Sequence, residues 1–254
     1  VVDGRDVDTE VVLRGDLDGR QQEVFDYVVD KVRKEEQFFV LIQGPAGCGK
    51  SYLYKALKHE LKGAIKFLAP TGVAAIQIGG ETIHAGLKLP RPGEKWQELA
   101  AQNRLVRAQD ENEHVKVIAM DERSMLGREA FGKAADRCCE IWGDHTKPLG
   151  GVSMILVGDD LQLPPVLQQK AWSLKNLPPE ADVEDEFTEV AYEGSDEGED
   201  NTCDEAAKKK KKKNKVRSKM HDLMGWRLYQ EHFRSGSCKV FVFNESRRQK
   251  EPVF

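Results

Sequence analysis

The sequence predicts an α/β fold in which helices cover both faces of a parallel β-sheet. Short apolar runs alternate along the chain with segments of helical periodicity, and the runs have the length of buried strands. Strands that alternate with helices favour right-handed crossover connections. We expect strands at 38–42, 65–69, 115–120, 153–157 and 239–243, and helices at 21–33, 51–61, 126–142 and 220–233.

The first three elements are the most clearly patterned. The first helix is predicted from apolar residues at helical spacing, namely Val24, Phe25, Val28, Val29 and Val32. The run from Phe38 to Ile42 is wholly apolar and lies just before a glycine, which is typical of a buried parallel strand. Helical spacing then returns in the second helix, through Leu53, Ala56, Leu57 and Leu61.

The later elements repeat this alternation. The segment 65–69 is a second apolar run, and 115–120 and 153–157 are two more, with a helical segment between them at 126–142. The pattern then breaks at about Pro178 and resumes at Met220. A helix is expected from there to Phe233, followed by a strand-like segment at 239–243.

The segment that interrupts the pattern is strongly charged. Its core, 180–219, holds 13 acidic and 9 basic residues, including the six consecutive lysines Lys208–Lys213. Such a composition buries too little apolar surface to offset the entropy of ordering, so we expect 178–219 to be a disordered insertion. The lysine run is interpreted as a solvated linker in preference to a nuclear address. The whole chain has a net charge of −4, so a DNA-binding surface would be a local groove.

Composition also limits the class of protein. The five cysteines are odd in number and form no CxxC pair, which disfavours a zinc site or a disulfide framework and favours a reducing compartment. No apolar stretch approaches the ~20 residues that a membrane-spanning helix needs. Because the sequence starts at Val1 rather than at methionine, we expect an excised fragment.

A phosphate-binding loop is predicted between the first strand and the second helix. The segment fits G-x-x-x-x-G-K-[ST] in the strand–loop–helix context that this motif requires. Glycines let backbone N–H groups point at phosphate oxygens, and the helix adds the positive end of its dipole. We expect Lys50 to reach the β- and γ-phosphates of ATP and Ser51 to bind Mg²⁺. The nucleotide-binding residues are Gly44, Pro45, Ala46, Gly47, Cys48, Gly49, Lys50 and Ser51.

Two acidic residues follow the apolar strand at 115–120. Asp121 is expected to hold Mg²⁺, and Glu122 to polarise the attacking water as a general base or orienting group. Together with the phosphate loop, this pair predicts an ATP hydrolase of the P-loop class.

A third motif resembles one found in superfamily-one helicases. The segment 151–166 ends in Gly158-Asp159-Asp160-Leu161-Gln162-Leu163-Pro164-Pro165-Val166, which resembles the GDxxQLPPV signature of those enzymes. In that family the glutamine touches the γ-phosphate and couples hydrolysis to DNA movement, and Gln162 is the matching residue. The resemblance therefore implies a RecA-like domain.

Further segments narrow the resemblance to the petite-integration-frequency (PIF) and RecD-like helicases. The segments 69–75 and 79–84 resemble motif Ia and its extension, which line the single-strand path in that family; the matching residues are Pro70, Thr71, Gly72 and His84. Gln21 matches the glutamine that reads the adenine edge, and Asp18 before it is expected to cap the first helix.

Motif IV is the last element that the resemblance covers. It matches 245–249, and Arg248 is the preferred candidate for the arginine that reaches the γ-phosphate, with Arg247 as the poorer one. Two residues depart from the family pattern: Arg123 and Asp160 stand where apolar or aromatic residues are usual, which puts rate and coupling in doubt. The implied organisation is an extension at 1–16, a RecA-like domain at 17–177, the insertion, and the domain's end at 220–254. The second RecA-like domain is expected beyond Phe254.

The resemblance implies an ATP- and Mg²⁺-dependent helicase that moves 5′ to 3′ on single-stranded DNA and opens forked duplexes. Roles in repair, recombination and telomere maintenance follow from the same resemblance, in the nucleus or the mitochondrion. Because one wall of such a cleft belongs to the second RecA-like domain, we expect residues 1–254 alone to hydrolyse ATP slowly. Two alternatives remain: a P-loop switch that changes partners with ATP, and an inactive relic, for example from a mobile element, that binds nucleotide without turnover.

Overall fold

The structure, a computed structural model, describes residues 11–90, 94, 96–99, 104–159, 162, 165, 169–171, 173, 175–178 and 203–244, with the backbone alone for 203–213. Its six strands are β1 (Phe39–Gln43), β2 (Ile65–Ala69), β3 (Glu81–Thr82), β4 (Val117–Met120), β5 (Ser153–Gly158) and β6 (Lys239–Val242). The helices are α1 (Gly19–Arg33), α2 (Lys50–Leu61), α3 (Gly72–Gln77), α4 (Ile83–Gly86), α5 (Arg104–Asn112), α6 (Arg128–Trp142) and α7 (Cys203–Tyr229).

The strands form one parallel sheet in the order β3-β2-β4-β5-β1-β6. The predicted fold class is confirmed, since helices flank this sheet on both faces. Alternate side chains of β1 lie in two separate cores: Val40 and Ile42 pack with α1 and α2, and Phe39 and Leu41 pack with α6 and α7. This period of two is the expected consequence of a pleated strand buried on both sides.

Local sequence explains where the first helices begin. Asp18 caps α1, because its side chain accepts a hydrogen bond from the Gln21 N–H while the Gln21 side chain accepts one from the Asp18 N–H. Thr71 caps α3 by accepting from the Ala74 N–H at 3.2 Å. The predicted strands at 65–69 and 153–157 lie within one residue of β2 and β5. The two-residue strand β3 was not predicted, because two residues give no detectable periodicity.

The charged segment differs from the expected disorder. Residues 203–219 belong to α7, so the expectation for 178–219 is wrong in that part; 179–202 lie outside the described residues. Lysine is a good helix former, and a helix that is anchored at one end extends at low cost. The anchor is visible from Val216 onwards: Val216 is buried, and Arg217 binds Glu98 at 3.0 Å.

Helix α7 packs tightly against α6, and two glycines permit the close approach. A Cβ atom at Gly132 would lie 1.9 Å from the backbone oxygen of His221, and one at Gly225 would lie 2.0 Å from that of Arg128. The fully buried Arg128 donates to both carboxylate oxygens of Asp222, at 3.0 and 2.8 Å. After Tyr229 the helix widens into a π-helical turn at Gln230–Arg234. The second half of α7 is therefore part of the domain's core.

Candidate active site

The loop between β1 and α2 has the shape of a phosphate cradle. Gly47 and Gly49 have φ angles of 80° and 88°, in the left-handed region that favours glycine. Gly44 also has no room for a side chain, because a Cβ atom there would lie 2.8 Å from the Cys48 Sγ and 2.9 Å from Phe243. The backbone conformation of the loop between β1 and α2 therefore requires glycine at each of these three positions.

Lys50 and Ser51 are the first residues of α2. The Lys50 Nζ donates to the backbone oxygens of Gly44 and Pro45, at 2.8 and 2.7 Å, so the ammonium group lies over the loop. Ser51 is exposed in the same helical turn. The arrangement places one positive charge and one hydroxyl group at the N-terminus of a helix, where anions are favoured.

The acidic pair lies at the carboxyl end of β4. The Asp121 Oδ1 accepts a hydrogen bond from the Glu122 N–H at 2.9 Å. Burial raises the pKa of Asp121, and burial followed by the charge of Asp121 raises the pKa of Glu122. The positive charge of Lys50 partly offsets the increase in pKa of both groups, which indicates that its ammonium group lies near the two carboxylates.

Glu122 has an unusual backbone conformation. Its φ and ψ are 52° and 44°, in the left-handed region that non-glycine residues rarely adopt. Strained backbone of this kind is found preferentially at functional sites, where surrounding structure holds it in place.

Gln162 lies beyond the carboxyl end of β5, the strand between β4 and β1. Its N–H donates to the backbone oxygen of Asp159 at 3.1 Å, and its side chain is half-buried. The charge of Asp159 contributes to the raised pKa of Glu122, so this turn approaches the acidic pair. Arg248 and Asp160 lie outside the described residues.

Gln21 has a different environment from the one that adenine reading would require. Its side chain is fully buried. The amide Nε2 donates to the backbone oxygen of Gly49 at 3.0 Å, and the Oε1 accepts from the Asp18 N–H at 3.0 Å. In this structure Gln21 therefore connects α1 to the phosphate loop, and its direct contact with adenine stays a prediction.

A cavity of about 280 Å³ opens beside the loop. Its walls combine the N-terminus of α1, the loop, the end of β6 and the two residues after it, and are formed by Asp18, Gly19, Arg20, Cys48, Val242, Phe243 and Asn244. The cavity has polar residues in its walls and adjoins the phosphate cradle. If phosphates were bound in the cradle, the nucleoside attached to them could extend into this cavity.

Two further residues lie near the acidic pair, and neither was predicted to be a site residue. Tyr54 of α2 is buried beside Asp121, and its pKa is well above the usual value because of burial and then the charge of that carboxylate. Arg123 is almost fully buried and donates to the Tyr229 hydroxyl at 3.0 Å. The departure of Arg123 from the family pattern was the available signal; Tyr54 gave none.

The donor types fit Mg²⁺. A serine hydroxyl and a carboxylate are hard oxygen ligands, and Mg²⁺ usually takes few protein ligands and completes its shell with phosphate oxygens and water. Ser51 and Asp121 supply that pair from α2 and β4. Within the described part of the chain, no group of three or more His, Cys, Asp or Glu residues could form a separate metal site.

The residues predicted to contact DNA lie near one lateral edge of the sheet, at the carboxyl ends of β2 and β3. Pro70, Thr71 and Gly72 follow β2, and His84 is the second residue of α4, directly after β3. Gly72 is exposed, and His84 is half-buried, with its pKa lowered by burial and then by Lys133. These residues and the phosphate loop all lie at the carboxyl ends of the strands. In the strand order, however, β4 stands between β2 and the strands β5 and β1.

The sequence model of the PIF1-like helicase family matches residues 16–175, more than half of the chain and all of the site described above apart from the residues after β6. The chain belongs to the PIF1-like helicase family.

Individual PIF1-like relatives agree with this assignment. The chain is 35% identical over 156 residues to ATP-dependent DNA helicase PIF7 of Trypanosoma brucei brucei, covering 59% of this chain and 15% of that protein. It is 38% identical over 135 residues to ATP-dependent DNA helicase PIF1 of Danio rerio, covering 52% and 20%. The human PIF1 helicase is 32% identical over 145 residues, covering 52% and 22%. The chain thus spans less than a quarter of the length of these relatives.

Solved PIF1-like structures share the fold. A structure of two coordinating Pif1 helicases at forked double-stranded DNA has a TM-score of 0.57 at 19% identity, covering 93% of this chain and 45% of that chain. Bacteroides Pif1 in complex with ADP-AlF4 has a TM-score of 0.56 at 20% identity, covering 93% and 44%. Pif1 from Candida albicans has a TM-score of 0.52 at 23% identity, covering 68% and 44%. These likenesses confirm the RecA-like arrangement of the PIF1-like family.

No helix among the described residues has both the length and the apolar character needed to cross a membrane.

Proposed function

We propose that this chain carries the ATP-hydrolysing domain of a PIF1-like DNA helicase. The observation that carries the proposal is the convergence, at the carboxyl ends of β1, β4 and β5, of a phosphate loop, an acidic pair and Gln162. These three strands are neighbours in the sheet, and the Gly44 N–H donates to the Gly158 backbone oxygen at 3.2 Å, so the three segments meet in one place. Relatives that share these segments are named ATP-dependent DNA helicases.

Each residue has a defined role in hydrolysis. Lys50 stabilises negative charge on the β- and γ-phosphates, while backbone N–H groups of the loop bind the phosphate oxygens. Glu122 orients the attacking water and accepts its proton, and the raised pKa strengthens it as a base. Mg²⁺, held by Ser51 and Asp121, would supply charge neutralisation between the phosphates. Gln162 is proposed to respond to the γ-phosphate.

The carboxyl ends of β2 and β3 are proposed as the DNA track. Here Val73 and Ile76 on α3 are 71% and 81% exposed, one helical turn apart, beside Thr71 and Gly72. Exposed apolar side chains next to backbone donors suit a single strand, whose bases need an apolar surface and whose phosphates need hydrogen bonds. We propose single-stranded and forked DNA as ligands, movement from 5′ to 3′, and action in repair, recombination and telomere maintenance, in the nucleus or the mitochondrion.

The proposal is tested by phosphate release under single-turnover conditions, with protein in excess over labelled ATP so that slow hydrolysis is measurable. Hydrolysis should require Mg²⁺, and Lys50→Ala should abolish it. Single-stranded oligonucleotide should barely accelerate turnover by residues 1–254 alone, and should accelerate it in protein that also contains a second RecA-like domain. A Lys58→Ala variant is the matched control, because that exposed lysine lies at the other end of α2 and binds the Gly79 backbone oxygen. Polarity is then measured with the protein that contains both RecA-like domains, from oligonucleotides with a 5′ or a 3′ overhang in a strand-separation assay.

The same assay separates the alternatives. A switch protein would hydrolyse ATP without a response to DNA, and an inactive relic would bind nucleotide without releasing phosphate. Either result, obtained with protein that contains both RecA-like domains, would overturn the helicase proposal.

A further inference from the structure

Arg123 connects the acidic pair to helix α7. This residue follows Glu122 directly, and its guanidinium group donates to the hydroxyl of Tyr229, the last residue of α7, at 3.0 Å. Arg123 is 2% exposed and Tyr229 is 7% exposed. We propose that Arg123 and Tyr229 are positioning residues for Glu122, and that α7 controls the rate of ATP hydrolysis through them. The inference rests on the proposed ATP hydrolysis.

The surroundings of Arg123 leave its backbone little freedom. A Cβ atom at Gly158 would lie 2.9 Å from both the Arg123 Cγ and the Arg123 backbone nitrogen. Gly158, the last residue of β5, thus lies against the peptide that joins Glu122 to Arg123, with no room for a side chain between them. Displacement of the Arg123 side chain would therefore move this peptide and the turn that begins at Asp159.

Tyr229 is a firm point of attachment. The ring packs on Phe233 at a centroid distance of 5.8 Å, within the π-helical turn that ends the helix. Earlier in α7, Gly225 and Asp222 contact α6 through the close helix crossing and the Arg128 ion pair. Because π-helical turns are rare and occur frequently at functional sites, the turn that follows Tyr229 favours a functional reason for the ring's position.

The left-handed conformation of Glu122 explains why such a connection is needed. A glutamate in this region of φ and ψ is less stable than in the common regions, so the native contacts around it must select it. On one side the Asp121 carboxylate accepts from the Glu122 N–H. On the other side, the buried contact of Arg123 with Tyr229 fixes the following residue. Without that contact, the Glu122 backbone could change to a more stable conformation, and its carboxylate would no longer be positioned to orient the attacking water.

The direct test is Tyr229→Phe, which removes one hydroxyl group and keeps the ring. We expect kcat for ATP to fall by about tenfold, as for loss of a hydrogen bond to a charged group, with KM unchanged. Arg123→Met should give a similar fall, and the double variant should be no worse than the poorer single variant, because both changes break one connection. Met224→Ala, which truncates a partly buried side chain of the same helix, is the control for general weakening of α7.

A second readout does not depend on turnover. In ¹⁵N-labelled protein, Tyr229→Phe should shift the amide resonances of Glu122 and Gly158 and leave those of Gly47 and Gly49 in place, whereas Met224→Ala should leave all four in place. Unchanged Glu122 and Gly158 resonances would overturn the inference, as would equal kcat losses in Tyr229→Phe and Met224→Ala. If the wild-type chain releases no phosphate, the proposed hydrolysis fails, and the resonances alone decide whether α7 positions Glu122.

Discussion

The side chain of Gln21 donates a hydrogen bond from Nε2 to the backbone oxygen of Gly49, at 3.0 Å. Gly49 is the left-handed residue that ends the phosphate loop and precedes Lys50. The Gln21 side chain is fully buried, so this bond connects the loop to a fixed point at the start of α1. The residue that resembles an adenine reader therefore also has a mechanical role in the loop.

For Gln21→Ala we predict weaker binding of ATP and GTP by the same factor, about fivefold for the loss of one buried hydrogen bond. A residue that holds the loop affects the shared phosphates, whereas a residue that reads adenine affects ATP alone. Competition binding with both nucleotides measures the two effects. Gln22→Ala is the matched control, since the Gln22 side chain donates to the Leu17 backbone oxygen. A loss confined to ATP would restore the adenine-reading role.

Asp121→Asn is predicted to stabilise the fold while weakening Mg²⁺-dependent nucleotide binding. Folding raises the pKa of Asp121, chiefly by burial, so at pH 7 the ionised carboxylate is less favourable in the folded chain than in the unfolded chain. Asparagine keeps the acceptor for the Glu122 N–H and removes the charge. In buffer without divalent cations, the melting temperature should rise by about 2–4 °C, the effect of ~1 kcal/mol in a domain of this size. A lower melting temperature would show that the charge is compensated in the folded state.

Gly132→Ala and Gly225→Ala are predicted to destabilise the domain. The added methyl groups would meet the backbone oxygens of His221 and Arg128 at about 2 Å, so α6 and α7 must separate. Overpacking of this kind costs about 1–3 kcal/mol. Chemical denaturation measures the loss, with Gly15→Ala as control because nothing lies within 4 Å of a Cβ atom there. If both variants unfold at the wild-type denaturant concentration, the helix crossing is looser than described.

Much of the fold and of the candidate site was predictable from local sequence. Buried parallel strands are continuous apolar runs, so β1, β2, β4 and β5 were recognisable, and the phosphate loop is a contiguous motif between two such elements. The acidic pair follows a strand directly, and its place opposite Lys50 follows from the parallel sheet. These features depend on short stretches of chain.

The structure of α7 was not predictable in the same way. The lysine run suggests a segment that avoids burial, and only the contacts of Gly225 and Asp222 with α6, distant in sequence, reveal the anchored helix. Arg123 was recognised as a departure from the family pattern, but its partner Tyr229 lies 106 residues later. Pairings at that separation carry no local signal in a single sequence.

The central claim is that Glu122 activates water for ATP hydrolysis in a site that binds nucleotide through other residues. Single-turnover phosphate release by Glu122→Gln, with Mg·ATP binding measured on the same sample, tests it most directly. We predict wild-type affinity and a rate lower by about 10²–10⁴-fold, the usual contribution of a general base. A variant that releases phosphate at the wild-type rate, or that loses nucleotide binding together with turnover, would contradict the account.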